Sequence, residues 1–147
     1  MGLLGIRLQQ GVLVELSFLA AGVAPREPAS PQAARVVAAI RRYFETPRAA
    51  VEVDFRLQGT AFQRRVWEAL RTIPAGTTIT YGALAARLGS GARAVGNACR
   101  RNPLPIVVPC HRVVASRGPG GFAGRRDGRL LEVKRRLLQL EGIETTA

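Results

Sequence analysis

Between Thr60 and Pro105 the chain carries its own helix starts and stops, which confine this stretch to a series of short helices. Thr60-Ala61-Phe62-Gln63 has the S/T-x-x-E/Q form of a capping box, in which side chain and backbone satisfy each other's free groups at a helix start. Phe62, Val66, Trp67, Leu70 and Ile73 follow as an apolar stripe, and Pro74 and Gly76 stop it. Thr80 is placed to cap a second helix running through Leu88, with Gly89 as its stop. Ser90 is placed to cap a third, from Gly91 to about Arg101, ended by Pro103 and Pro105. Two short helices joined by a Gly-Ser turn form a helix-turn-helix-like unit, and the second carries Arg93, Arg100 and Arg101.

The flanking segments read differently. Val12–Phe18 is apolar with partial alternation and predicts a strand. Ala24–Pro31 holds three prolines and predicts a loop. Val36, Val37, Ile40, Tyr43 and Phe44 sit at helical spacing within 33–44, and Pro47 ends that helix. Val51-Glu52-Val53-Asp54-Phe55 alternates as a strand does. Ile106-Val107-Val108 reads as a short buried strand leading to Cys110, and Ser116–Gly128 is a Gly- and Arg-rich loop. A last helix carries Leu130, Leu131, Val133, Leu137, Leu138 and Leu140, with Lys134, Arg135 and Arg136 beside them, and Gly142 ends it.

The expected fold is therefore α/β of the α+β kind. Residues 1–56 form a small module with a short antiparallel sheet. Residues 57–147 form a mostly helical domain with a winged-helix-like helix-turn-helix. No internal repeat, P-loop or dinucleotide pattern is present.

Charge is distributed unevenly. The chain has 22 basic and 10 acidic residues, a formal net charge of +12. Seven arginines and five acids lie before Thr60, a net of +2; fourteen arginines, one lysine and five acids follow, a net of +10. Nine arginines and no acid lie between Ala69 and Arg126. Such a field attracts polyanions, although an arginine-rich composition without a partner would look the same. No apolar run approaches the length of a membrane span. The opening Met1-Gly2-Leu3-Leu4-Gly5 lacks the basic start of a signal peptide, so a cytoplasmic site is expected.

The two cysteines, Cys99 and Cys110, and the single histidine, His111, do not make a four-ligand metal set, and no metal is expected. A free cysteine is most often a small core hydrophobe. Beside an imidazole it has a second use, because the thiolate is the reactive form and needs a base or a positive field. His111 supplies this directly or through a water, provided a third group orients its ring. Glu141, at the end of the last helix, is a candidate.

Ile106-Val107-Val108-Pro109-Cys110-His111-Arg112-Val113-Val114 resembles the active-site segment of the O6-alkylguanine-DNA alkyltransferases (methylated-DNA–protein-cysteine methyltransferases). The likeness continues in Phe62-Gln63-x-x-Val66-Trp67-x-x-Leu70-x-x-Ile73-Pro74-x-Gly76, in Thr80-Tyr81-Gly82-x-Leu84-Ala85, and in Ala92-Arg93-Ala94-Val95-Gly96. It closes with Asn102-Pro103 and Leu137-Leu138-x-x-Glu141-Gly142. The resemblance is dense from about Gly59 to Gly142 and loose before that.

It implies a repair protein that flips O6-methylguanine, or O4-methylthymine, out of duplex DNA and takes the alkyl group irreversibly onto Cys110, once per molecule. No cofactor is implied, and the partner is double-stranded DNA carrying alkylated bases, met by a monomer. By matching position, His111 resembles the base that takes the thiol proton, with Glu141 holding its ring. Tyr81 resembles the donor that makes guanine a better leaving group, and Asn102 the link between recognition helix and cysteine loop. The carbonyls of Cys110 and Val113 and the Ala123 amide would read the flipped base, with Phe122 stacking on it. Arg93 resembles the finger that fills the gap left by the extruded nucleotide. Small Ala92, Ala94 and Gly96 would let that helix lie in the minor groove, with Arg100 and Arg101 against phosphates.

Phe122 stands where the family often has tyrosine, and Arg125 where a second glycine is usual; the Arg125–Arg129 stretch is longer than typical. Cys99 reads as structural. Two other classes compete: a non-catalytic DNA-binding module, either a sensor of alkylated DNA or a regulator, and a cysteine hydrolase. The related sensors lack the cysteine that is present here. A hydrolase has no use for nine arginines uninterrupted by an acid.

Overall fold

The structure, a computed structural model, describes residues 3–19, 22–116 and 128–144. Strands β1 (Leu4–Gln9) and β2 (Val12–Phe18) pair as an antiparallel hairpin. Gln10 and Gly11 form its turn, both at positive φ (53° and 80°), as a two-residue turn matched to strand twist requires. β1 is not among the expected elements, although Leu4, Ile6 and Leu8 alternate.

The strand expected over Val51–Phe55 does not form. Leu13 donates to the Asp54 carbonyl and accepts from the Arg56 amide, both at 3.0 Å, which makes one isolated parallel bridge. Further along β2 the Leu16 amide donates instead to the Pro103 carbonyl at 2.9 Å. The edge of β2 is thus taken over by the segment around Pro103, and alternation alone cannot win a partner.

Helix α1 (Pro31–Glu45) starts slightly earlier than expected because Ser30 caps it, accepting from the Ala33 amide at 3.1 Å, and proline is favoured in a first helical turn. Its buried face is Ala33, Val36, Ile40 and Tyr43. Helix α2 (Ala61–Leu70) has the full capping box: Thr60 N donates to Gln63 Oε1 at 2.9 Å and Gln63 N to Thr60 Oγ1 at 3.1 Å. Its Trp67 is buried, and the indole Nε1–H donates to the Ala98 carbonyl at 2.8 Å. Burial of a large aromatic and satisfaction of its one donor act together.

Two-residue strands β3 (Ile79–Thr80) and β4 (Val113–Val114) pair in parallel and bring the cysteine segment beside helix α3 (Tyr81–Leu88). Thr80 caps α3, and Gly89, at φ 65°, ends it. Helix α4 (Ala92–Arg100) is capped by Gly91, not by Ser90. Ser90 is already engaged, its amide donating back to the Ala85 carbonyl at 2.9 Å in the closing turn of α3.

The chain around Cys110 is also not a strand. Pro105 through Val108 makes tight turns, and Cys110–Arg112 is one 3-10 turn. Helix α5 (Gly128–Leu140) returns across it, with Leu131, Val133, Lys134, Leu137 and Leu138 buried. One apolar cluster joins Leu13, Leu16, Val36, Ile40 and Tyr43 to Trp67, Leu84, Val95, Val108 and Leu137, so both halves share a core. Among the described residues no helix is long and apolar enough to cross a membrane.

Candidate active site

Cys110 is held by a framework of short local bonds. Asn102, just past the end of α4, donates through Nδ2 to the Val108 carbonyl at 2.8 Å and accepts from the Leu104 amide at 2.9 Å. Val108 N donates to Leu104 O, and Cys110 N to Val108 O, both at 2.8 Å. Within this loop Ile106 sits at φ 77°, a conformation that costs a β-branched residue about 1–3 kcal/mol. The surrounding bonds over-determine it, so the loop keeps one shape, with Cys110 buried at its apex.

His111 follows, fully buried, and its Nε2 lies 2.7 Å from Glu141 Oε2. Glu141 receives three further donors: Arg112 Nε on Oε1 at 2.9 Å, Arg112 Nη2 on Oε2 at 2.9 Å, and the Tyr43 hydroxyl on Oε2 at 2.5 Å. Arg112 Nη1 also donates to the Ile73 carbonyl at 2.6 Å. Burial by itself would raise the Glu141 pKa, but the donors from His111 and Arg112 win and hold it at about 2. The carboxylate is therefore ionised, and His111 must present Nε2 as its N–H. Burial lowers the His111 pKa, a shift that the bond to Glu141 opposes. The ring is then neutral, and Nδ1 carries a lone pair. Nδ1 is buried and has no protein hydrogen-bond partner among the described residues. An imidazole with one nitrogen anchored and the other free is a base with a fixed direction.

Lys134 of α5 is fully buried and donates to the Val113 carbonyl at 2.8 Å. Its Nζ lies 5.7 Å from the centre of the Tyr81 ring. Burial brings its pKa down to about 8, while Cys110 and Cys99 pull the other way. Burial pushes the Cys110 thiol up, and Asn102 and the Lys134 charge oppose that only in part. Cys99, at the back of α4, is pushed up to about 12 by burial and then by Cys110. The resting Cys110 thiol therefore keeps its proton, and reaction requires a base.

The structure thus brings buried Cys110, His111 and Glu141 together, with half-buried Asn102 bracing the cysteine loop and Tyr81 at the start of α3 beside Lys134. On α4, Ala92, Arg93, Ala94 and Arg100 are exposed, as is Arg101 after it, and Gly96 is half-buried. Val95, Ala98 and Cys99 face the core. Val113 is buried, and its carbonyl already receives Lys134. Phe122, Ala123, Gly124 and Arg125 lie outside the described residues. No group of three or more His, Cys, Asp or Glu gathers as a metal site among the described residues.

Sequence reasoning passed over Tyr43, Arg112 and Lys134. For Lys134 a signal existed. It is the single lysine among 22 basic residues, and it stands three residues after Leu131 and four before Leu138, on the apolar face.

A helix-turn-helix with exposed arginines, backed by a buried cysteine beside an oriented imidazole, defines a class of helix-turn-helix proteins that carry a thiol–imidazole pair. The model of the 6-O-methylguanine DNA methyltransferase DNA-binding domain matches residues 61–143. A methylated-DNA–protein-cysteine methyltransferase of Archaeoglobus fulgidus is 43% identical over 107 residues, 71% of each chain. One from Methanothermobacter thermautotrophicus is also 43% identical, over 63% of this chain and 53% of that protein. The crystal structure of Mycobacterium tuberculosis OGT in complex with DNA superposes with a TM-score of 0.74 at 36% identity, covering 95% of this chain and 86% of that one. The chain belongs to the 6-O-methylguanine DNA methyltransferase family.

Proposed function

We propose that this protein repairs alkylated DNA by transferring the alkyl group from O6-methylguanine to Cys110, one turnover per molecule. The observation that carries this reading is the buried Cys110-His111 pair, in which Glu141 holds Nε2 and leaves Nδ1 free to accept a proton.

The steps balance. His111 Nδ1 takes the Cys110 proton, directly or through one water. The Sγ electron pair attacks the alkyl carbon in line, an S–C bond forms, and the C–O6 bond breaks with its electrons passing to guanine. Guanine gains one proton, with Tyr81 as donor and the proton on His111 making good the loss. The product thioether has no route back, which makes the protein its own co-reactant. No cofactor enters.

Catalytic roles are assigned to Cys110, His111 and Tyr81, with Glu141 and Asn102 as positioning residues. Lys134 adds a positive charge near the forming thiolate. The target base must leave the stack to reach a buried thiol. We assign Arg93 to the gap left behind and Ala92, Ala94 and Gly96 to close approach in the minor groove. Arg100 and Arg101 are assigned to phosphates. Phe122, Ala123 and the Val113 carbonyl are assigned to the flipped base. We assign the protein to the cytoplasm.

Intact-protein mass spectrometry after mixing with a duplex carrying one O6-methylguanine tests this. A gain of one methyl group, mapped to Cys110 and stoichiometric with the lesion, is expected. Binding of the duplex with no change in mass would replace this reading with that of a lesion sensor.

A further inference from the structure

Glu141 is reached from both halves of the chain. The four lone-pair sites of a carboxylate divide about two to each oxygen, and here Oε1 accepts from Arg112 Nε alone while Oε2 takes three donors: His111 Nε2, Arg112 Nη2, and the hydroxyl of Tyr43, which lies 98 positions away on α1. Tyr43 and His111 share the same oxygen, Oε2. Tyr43 is buried, and its helix is fixed by the Ser30 cap and by Val36 and Ile40 in the common core. Burial, and then the hydrogen bond to Glu141 and its charge, push the phenol's pKa up, so at neutral pH it keeps its proton and stays a donor.

We propose that Tyr43 is a positioning residue of the acceptor site: its hydroxyl bond to Glu141 Oε2 fixes the carboxylate and restrains the basicity of His111. This rests on the alkyl-transfer reading for its purpose, but the coupling itself is a property of the three side chains. A hydroxyl donated to Oε2 draws charge away from the His111 bond on that oxygen. Removing it concentrates charge on His111 and favours the imidazolium. The other ionisable groups facing this pair are Arg112 on the 3-10 turn and Lys134 on α5, and both oppose protonation of His111. Cys99 and Cys110 face Lys134 in turn. None of these groups changes when Tyr43 becomes phenylalanine.

The chain has one histidine, so a 15N NMR titration of the imidazole reads a single group. Tyr43→Phe is expected to raise the His111 midpoint by about half a pH unit. The acid limb of the pH profile of methyl transfer is expected to move with it. Ile40→Val loosens the same helix without touching the carboxylate and should leave the midpoint at the parent value. If Tyr43→Phe does not fold, 3-fluorotyrosine incorporated into a Tyr81→Phe chain labels Tyr43 alone, since the chain has two tyrosines. The stronger donor should then move the midpoint down. An unchanged midpoint in the folded Tyr43→Phe or fluorinated protein overturns the proposal, as does an equal shift in Ile40→Val. If the parent transfers no methyl group, the proposed function falls, while the titration still decides the role of Tyr43.

Discussion

His111 and Glu141 meet at 2.7 Å across thirty positions of sequence, both sealed from solvent, the first from a single 3-10 turn and the second from the residue that follows α5. Because Glu141 is ionised, this contact fixes both the tautomer and the direction of the imidazole. Glu141→Gln keeps the shape but removes the charge. We expect the single-turnover rate of methyl transfer to fall at least about tenfold, as for loss of a general base's support. Loss of the charge that pairs with partly buried Arg112 should also lower stability, by about 3 kcal/mol. Rapid-quench kinetics and thermal unfolding check the two effects separately.

The same carboxylate sets an acid limit on stability. Its folded pKa, about 2, lies below the ordinary value of 4.5. A depressed carboxylate contributes stability that is complete above the unfolded pKa and is lost as pH falls through the folded one. The contribution of Glu141 should thus be full above about pH 4.5 and fade toward pH 2, a loss of about 3 kcal/mol. Denaturant unfolding from pH 6 to pH 2.5 should show this slope in the parent and a shallower one in Glu141→Gln. Equal slopes would place the acid sensitivity elsewhere.

Cys110→Ala removes the acceptor and little volume. Mass spectrometry should record no methyl gain, and affinity for lesion-bearing duplex should stay within about threefold, because the groups assigned to hold DNA are other than the thiol and phosphate contacts carry most of the affinity. Methyl transfer in this variant would move the acceptor to another residue.

Arg93, exposed on α4, is assigned to base extrusion, which gives it a signature that depends on the substrate. Arg93→Ala should slow transfer from duplex DNA by at least about tenfold, since unstacking costs a few kcal/mol. Transfer from a single-stranded oligonucleotide should change far less. An equal loss on both would make Arg93 an ordinary phosphate contact.

Gly59 tests the packing that seats α4. A Cβ there would approach the Trp67 ring to 2.6 Å and Gln63 Oε1 to 2.7 Å, disturbing at once the indole bonded to Ala98 and the capping box. Gly59→Ala should cost about 1–3 kcal/mol of stability. Differential scanning calorimetry reads this directly, and an unshifted melting temperature would mean that Trp67 yields without cost.

The helix-turn-helix was legible because each boundary has local chemistry: Thr60 with Gln63, Thr80, Gly89, and the prolines at 103 and 105. Ser90 misled because it answers two local rules, capping a helix ahead and closing one behind, and the second prevailed. Val51–Phe55 has strand chemistry but no vacant partner, a matter of tertiary geometry. Cys110, His111, Glu141 and Asn102 could be named by resemblance. The resemblance did not point to Tyr43, which joins the site across 98 positions in a contact without a sequence signature. Arg112 stood inside the matched segment, yet nothing local distinguished it from the other arginines. Lys134 was hidden in a basic run whose other members, Arg135 and Arg136, are not buried.

The depth of Cys110 also determines what the molecule ignores. Its thiol is covered and holds its proton more firmly than a free cysteine. Soluble electrophiles and peroxides, which consume exposed thiolates, therefore find little to react with. A reagent that works only once is useful only if it survives until its target arrives, and burial gives this one a long shelf life in a chemically hostile cell.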